Sequence, residues 1–233
     1  MLNRQFTQLE LQDLLRRDHT LHGGVLFGID GHVIELQARA VSELSKPLPF
    51  YEAVSITGMA RGVVYESLDR IRGAFMKLGI ASTQVEILIN LAPPDLPKEG
   101  TWLDLPLAII MLQAAGLLPD LYGDREQQLL LMGEIGLHGE IRRVPGALSL
   151  AYLSKPGQQL IVPAGNEKEC ALIMAKPGHD GCGVFCVSEL AQVIDFFQGR
   201  RKLDNVLRNE IKFEDVIPRA VDFSRIKGQE RAK

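Results

Sequence analysis

The residues best placed to do chemistry in this sequence lie in one stretch, "NLAPPDLPKEGTWLDLPLAIIML", residues 90–112. Lys98 and Glu99 stand shortly before a run that predicts a helix beginning at Asp104. A helix N-terminus and a nearby ammonium group both attract anions, so this region could form an anion site. The alternative interpretation is a solvated loop with a local ion pair.

The common motifs of nucleotide, metal and nucleophilic sites are missing from the sequence. Gly58 and Gly62 are not followed by the lysine and hydroxyl residue that complete a phosphate-binding loop. The patterns H-E-x-x-H, G-x-S-x-G and C-x-x-C do not occur either. The five histidines are scattered, and His138 reads as a turn residue. We therefore expect no metal site, no catalytic residue and no bound cofactor in this chain.

The three cysteines, Cys170, Cys182 and Cys186, do not have the spacing of a zinc or redox site. The last two fall on one predicted strand, where residues four apart lie about 13 Å from each other. They cannot hold one metal together, so we interpret them as small buried apolar side chains in a reducing compartment.

Charge and hydropathy exclude several classes of protein. The 233 residues are 46% hydrophobic and carry a net charge of −3, so any contact with nucleic acid must come from a local basic patch. The N-terminus has no apolar targeting region, and the apolar run 105–112 is too short to span a bilayer. These features predict a cytoplasmic protein with no membrane partner.

The first predicted elements are a short helix and a β-hairpin. Thr7 and Glu10 have the spacing of a capping box ahead of an apolar pattern, which predicts an N-terminal helix. Two alternating runs flank Asp30 and Gly31, and this pair predicts the turn of a hairpin. The segment "YEAVSIT" predicts the next strand.

A long amphipathic helix is predicted after that strand. Apolar residues recur at helical spacing from Val64 onward, and Gly79 supplies the stop. The pattern places four basic side chains on faces away from the core stripe: Arg61, Arg70, Arg72 and Lys77. The segment "QVEILINL" then predicts a strand that leads to the opening stretch.

Prolines at positions 93, 94 and 97 forbid helix and ladder hydrogen bonding there. We expect a stiff strap that delivers one helix N-terminus to a fixed place. Asp104 is the predicted N-cap, Pro106 falls in the first turn where its missing N–H costs nothing, and the helix continues to Gly116.

The remaining pattern alternates strands and helices. Residues 136–139 predict a second hairpin turn between "QQLLLMGEI" and "EIRRV". Helices and strands then alternate up to Gly199, after which the sequence is charge-rich. The predicted fold class is α/β of the α+β kind, with β-hairpins and packed helices.

Three segments, "NLAPPDLPKEGTWLDLPLAI", "MGEIGLHGEIRRVPGALSLA" and "LIVPAGNEKE", closely resemble the N-terminal domain of the ComM/YifB family of magnesium-chelatase-like AAA+ proteins. The likeness runs from about Leu26 to Lys233. Two features depart from the family pattern: "GMARGVVYESLDRIRGAF" replaces its proline-containing loop, and the N-terminal helix is an addition.

The resemblance implies a ribosomal-protein-like fold shared with the proteolytic domain of Lon, which uses a Ser-Lys dyad. No serine lies between Lys98 and Leu112, where Thr101 and Trp102 stand instead. Leu148 occupies the place implied for the lysine. A nucleophile without a base is not a protease, so these residues are interpreted as a vestigial site.

The resemblance also implies four parts of the chain: an N-terminal helical extension (1–22), the Lon-like domain (23–199), a linker (200–221) and the start of an ATPase domain (222–233). Ile226 and Gly228 in "DFSRIKGQERAK" would be half of an adenine pocket. ATP and Mg would be bound only by the full-length parent.

The implied function is that of a non-catalytic N-terminal domain in a hexameric ATPase that acts on DNA as a branch-migration helicase in natural transformation or recombination. A partner-docking or ring-stabilising domain without DNA contact is the alternative, and in both cases the domain would contact its own ATPase domain. The candidate DNA or partner surface consists of seven basic residues: Arg61, Arg70, Arg72, Lys77, Lys98, Arg142 and Arg143.

Overall fold

A seven-stranded sheet with helices on both faces organises the molecule. The computed structural model describes residues 5–98, 100–120, 129–174 and 177–206. The helices are α1 (Gln8–Leu14), α2 (Phe50–Ala53), α3 (Arg61–Lys77), α4 (Asp104–Ala114), α5 (Ala147–Tyr152), α6 (Glu167–Met174) and α7 (Leu190–Phe197). The strands are β1 (Asp18–Phe27), β2 (Asp30–Pro49), β3 (Val54–Thr57), β4 (Ser82–Ala92), β5 (Leu129–Leu131), β6 (Glu134–Ile135), β7 (Ile141–Arg142), β8 (Gln159–Pro163) and β9 (Gly183–Val187).

Strand order in the large sheet is β3-β4-β2-β1-β5-β8-β9. Strands β1, β2 and β4 are antiparallel neighbours, whereas β3 runs parallel to β4. Strands β5, β8 and β9 run parallel to β1. The architecture is therefore mixed α/β, which confirms the predicted fold class.

Two consecutive glycines in β1 show how the sheet is covered. A Cβ atom on Gly23 would lie 2.7 Å from Leu103, at the start of α4, and one on Gly24 would lie 2.3 Å from Leu150, in α5. Successive strand residues point to opposite faces, so α4 and α5 pack on opposite sides of the sheet. A large apolar cluster lies on the α4 side with α3 and α7, and a second cluster lies under α5 and α6.

Helix α3 follows the predicted apolar stripe. It buries Leu68, Ile71 and Phe75 and is followed by Gly79, whose φ of 72° is the left-handed conformation of a helix stop. Helix α4 is different, because every one of its residues is buried. It lies against β1 and β2, and α3 packs against it.

The N-terminal predictions are confirmed in part. The capping box of Thr7 and Glu10 is present at α1. The first hairpin forms, but its turn is Gly28-Ile29 rather than Asp30-Gly31, because Phe27 pairs with Asp30. Strand β1 starts at residue 18, so the domain boundary predicted at 22/23 lies inside a strand, and α1 packs its apolar side chains into the large cluster.

Two other strand predictions were wrong in extent. The segment predicted as one strand, 51–57, begins with the helical turn α2 and becomes strand β3 only at Val54. The second hairpin consists only of β6 and β7, which pair over two residues each. Strand β5, predicted as part of that hairpin, instead joins the large sheet between β1 and β8. A run of three apolar residues, buried on both faces, suits a parallel central strand better than a hairpin arm.

The last described residues return along the edge of the sheet. Asn205 forms a bridge with Phe185 of β9, and its side-chain oxygen accepts a hydrogen bond from the N–H of Val184 at 3.1 Å. The rest of the predicted linker, the predicted ATPase segment and the candidate adenine-pocket residues Ile226 and Gly228 lie outside the described residues. Among the described residues, no helix is long and apolar enough to cross a membrane.

Candidate functional site

The strap, defined as residues 92–103, is held from inside by a buried lysine. The ammonium group of Lys98 donates to the carbonyl oxygens of Pro93 and, at 3.2 Å, Leu96, and the residue is only 3% exposed. Burial lowers the pKa of Lys98, against the opposing effect of the Asp95 carboxylate. Both expectations for this lysine, an anion site and a solvated loop, were wrong because its amine faces the strap's own backbone. Its predicted partner Glu99 lies outside the described residues.

Backbone hydrogen bonds join the end of the strap to the segment between β5 and β6. The N–H of Gly133 donates to the carbonyl of Trp102 at 3.0 Å, and the N–H of Leu105 donates to the carbonyl of Gly133 at 3.1 Å. The first turn of α4 is therefore fixed on two sides, by the strap and by the chain that leads into the small hairpin.

Asp104 is the first residue of α4 and not its N-cap. Leu103 holds the cap position and makes no side-chain cap bond. The Asp104 carboxylate is fully buried and accepts hydrogen bonds from Arg70 Nε at 2.6 Å, Arg70 Nη2 at 3.0 Å and the N–H of Ile135 at 3.2 Å. The predicted capping role was wrong because the carboxylate turns away from its own helix to bind an arginine from α3.

Arg70 was likewise predicted on the wrong side of its helix. It lies toward α4, where its side chain is 20% exposed and forms a two-pronged ion pair. Burial raises the pKa of Asp104, while the hydrogen bonds and charge of Arg70 oppose that rise. The hydrogen bond to Asp104 raises the pKa of Arg70. The pair ties α3, α4 and β6 together at one point.

A second polar group of residues links the strap to the small hairpin. The hydroxyl of Thr101 donates to Glu134 Oε2 at 2.7 Å. Arg142 approaches the other oxygen of Glu134 at 3.4 Å and donates to Glu140 at 2.6 Å. Thr101 is thus hydrogen-bonded to a carboxylate that is itself paired with an arginine. This arrangement holds the hydroxyl in place.

Trp102 and Leu148 occupy the places that the resemblance implies for a serine and a lysine. The indole N–H of Trp102 donates to the carbonyl of Pro145 at 2.9 Å, just before α5, and its ring packs against both apolar clusters. Leu148 lies on α5 and is 40% exposed. Neither side chain can act as a nucleophile or as a general base.

The seven predicted basic residues do not form a common open patch. Arg61 and Lys77 are exposed at opposite ends of α3. The guanidinium of Arg72 lies 4.6 Å from the centre of the Tyr51 ring. Arg143 approaches Glu169 at 3.8 Å, and Arg70, Lys98 and Arg142 are engaged as described above.

Sequence reasoning missed the buried ion pair and the part played by Glu134. One signal was present: Asp104 heads a helix whose other residues are almost all apolar, and a carboxylate that enters such a helix needs a cationic partner if it is buried. Sequence alone does not say which of several arginines that partner is.

The prediction of buried apolar cysteines is confirmed for Cys170 only, because Cys182 and Cys186 are half-buried. Cys170 is fully buried, and burial raises the pKa of its thiol. Burial also raises the pKa of Cys186 to about 12. Among the described residues, no group of three or more histidine, cysteine, aspartate and glutamate side chains is placed to hold a metal ion.

The comparisons with known proteins agree with the resemblance. The family model described as subunit ChlI of Mg-chelatase matches residues 45–166. The uncharacterized protein YifB of Escherichia coli K12 is 34% identical over 216 residues, 91% of this chain and 38% of that protein. The YifB protein of Salmonella typhimurium is 32% identical over 214 residues, with the same coverage of 91% and 38%.

A further relative carries a functional name. Competence protein ComM of Haemophilus influenzae is 30% identical over 184 residues, 77% of this chain and 34% of that protein. The chain thus spans little more than a third of the length of the curated relatives that it matches. The strap, α4 and the small hairpin all lie inside the family match, which covers more than half of the sequence. The chain belongs to the magnesium-chelatase-like ComM/YifB family.

Proposed function

We propose that this chain is the non-catalytic N-terminal domain of a cytoplasmic AAA+ ATPase that assembles into a hexameric ring and acts on DNA. Family membership supports an ATPase parent, and the name of the Haemophilus influenzae relative, a competence protein, supports a role in DNA uptake or recombination. In this proposal ATP and Mg are bound by the ATPase domain of the parent. Ile226 and Gly228 contribute the first part of its adenine pocket.

The non-catalytic assignment rests on the hydrogen bonds that Thr101 and Trp102 of the vestigial site already make within the domain. The Thr101 hydroxyl donates to Glu134, and among the described residues it has no hydrogen bond to an amine or an imidazole. Trp102 reaches from the strap to Pro145, two residues before α5. A serine or threonine nucleophile needs a base that accepts its proton, and an arginine-paired carboxylate is a poor one.

The module itself is proposed to dock a protein rather than DNA. Phosphate contacts require several open lysines and arginines close together. Arg70 and Lys98 are engaged inside the domain, Arg142 and Arg143 are exposed but lie beside carboxylates, and Arg61 and Lys77 stand at opposite ends of α3. Exposed large apolar side chains gather instead at the β1–β2 turn and on α5: Phe27, Ile29, Leu148 and Tyr152. Ser149 of α5 donates to the carbonyl of Ile29 at 2.8 Å, so the turn and the helix are adjacent. Such a surface suits a protein partner, including another part of the same chain.

A binding assay on two lengths of the protein tests this proposal. At low salt, where phosphate contacts are strongest, this chain should not shift forked, single-stranded or duplex DNA. A longer chain that includes the ATPase domain should bind DNA and show DNA-stimulated ATP hydrolysis. Arg61→Gln with Lys77→Gln, which removes two exposed cations, should leave the longer chain's DNA affinity unchanged.

Two outcomes would contradict the proposal. Tight, salt-sensitive DNA binding by this chain alone would assign the DNA contact to this domain. ATP hydrolysis by the longer chain that no DNA structure stimulates would favour a chelatase-like or purely protein-directed ATPase.

A further inference from the structure

The solvent side of the helix pair α5 and α6 carries exposed apolar side chains. Its large exposed side chains are Leu148, Tyr152 and Leu153 on α5 and Leu172 on α6. The two helices pack side by side over the second apolar cluster, and the Cys170 thiol lies 3.6 Å from the carbonyl of Ala147. We call this surface the α5–α6 face.

The described chain ends beside this layer of the molecule. Leu203 packs against the large cluster on the α4 side of the sheet, whereas Val206 packs against the second cluster beneath α5 and α6. Between them, Asn205 bonds to the edge strand β9. The chain therefore crosses the sheet edge and arrives on the α5–α6 side at its last described residue.

The chain that follows Val206 is long enough to cover the α5–α6 face. Five residues extend up to about 18 Å, which exceeds the roughly 10 Å thickness of one helix with its side chains. A chain that leaves Val206 under the helix layer can therefore place Ile211 and its successors on the outer side of that layer.

The chemistry of that segment fits the surface. Residues 211–217, "IKFEDVI", contain four large apolar side chains around the acidic pair Glu214 and Asp215, and Pro218 follows. Lys155 after α5 and Lys168 on α6 are exposed cations on the same helix layer. Apolar side chains would cover Tyr152 and its neighbours, while the carboxylates would meet the lysines.

We propose that residues 211–217 dock on the α5–α6 face of the same chain. The segment leads toward the predicted ATPase domain, so docking would fix where that domain starts relative to this one. This proposal rests on the path of the chain and on surface chemistry, so it does not depend on whether the parent acts on DNA.

Hydrogen exchange of the whole 233-residue chain, followed by mass spectrometry, tests the proposal. Amides of residues 211–217 should exchange at least about tenfold more slowly than in a free peptide of the same sequence. Tyr152→Asp and, separately, Phe213→Asp should remove that protection. The matched controls are Tyr65→Asp and Phe223→Asp: Tyr65 is 67% exposed on α3, across the sheet from Tyr152, which is 69% exposed.

The controls should keep the protection. Exchange of 211–217 at the free-peptide rate in the unsubstituted chain would overturn the proposal, and so would protection that survives both Tyr152→Asp and Phe213→Asp. Protection that disappears on dilution would assign the α5–α6 face to a second copy instead. The Phe213→Asp variant changes none of the described residues of the domain, so it decides the matter even if Tyr152→Asp fails to fold.

Discussion

Two regions beside the strap each place an arginine against carboxylates, with very different surroundings. In the contact between α3 and α4, Arg70 is 20% exposed and its partner Asp104 is fully buried. In the β6–β7 hairpin, Arg142 is 56% exposed and reaches Glu134 and Glu140 at the surface. The distances are similar, but water reaches the second arginine much more freely than the first. Burial, rather than geometry, therefore decides which ion pair the fold depends on.

The largest expected effect belongs to the buried pair. Arg70→Ala should lower the free energy of unfolding by about 3–5 kcal/mol, because it leaves the Asp104 carboxylate buried without its counter-charge. Urea denaturation followed by circular dichroism measures the loss. Arg72→Ala is the matched control, since Arg72 lies on the same helix, exposed over the Tyr51 ring. Equal losses of unfolding free energy in Arg70→Ala and Arg72→Ala would contradict the special role of the buried pair.

Trp102→Phe should have a smaller effect, about 1 kcal/mol. The substitution keeps an aromatic ring between the two apolar clusters but removes the N–H that donates to the Pro145 carbonyl. Circular dichroism is the suitable probe, because Trp102 is the only tryptophan and its fluorescence is lost. An unchanged denaturation curve would mean that the hydrogen bond to α5 contributes nothing.

Lys98 should make stability depend on pH in the alkaline range. Burial lowers its pKa, so between that value and the ordinary lysine pKa of about 10.4 the unfolded chain binds a proton that the folded chain has lost. Stability contributed by Lys98 therefore rises as pH increases through this window. Lys98→Met should remove that slope, as measured by denaturation at a series of pH values. Parallel pH profiles for the two proteins would contradict a desolvated ammonium group.

The smallest effect is expected at the hairpin. Arg142→Ala should leave the melting temperature unchanged within error, because both of its ion pairs are exposed. Differential scanning calorimetry at low salt gives the most sensitive measurement, since screening is weakest there. A loss comparable to that of Arg70→Ala would overturn the comparison between the two arginines.

The sequence predicted the elements whose signals are local. The apolar stripe and glycine stop of α3 and the capping box of α1 follow from side chains a few residues apart, so those helices lie where they were predicted. The first hairpin was predicted with its turn displaced by two residues, because Gly28-Ile29 can form the turn as readily as an Asp-Gly pair once the strands set the register.

The site could be predicted only in outline. The prolines of the strap and the start of the buried helix are visible in the sequence, but the partner of Asp104 is 34 residues away, on another helix. A carboxylate at a helix start serves equally well as a cap or as an ion-pair partner, and the choice depends on tertiary packing. The burial of Lys98 depends in the same way on the path of the strap.

We infer that the strap, α4 and the small hairpin form a structural joint held by the buried pair of Arg70 and Asp104. A double-mutant cycle with Arg70→Ala, Asp104→Ala and the combined variant tests it most directly, with the free energy of unfolding as the readout. We predict a coupling energy of about 2–3 kcal/mol, with the double variant no less stable than Arg70→Ala alone, because its second substitution removes the unpaired buried charge. Additive losses, with no coupling beyond experimental error, would contradict the claim.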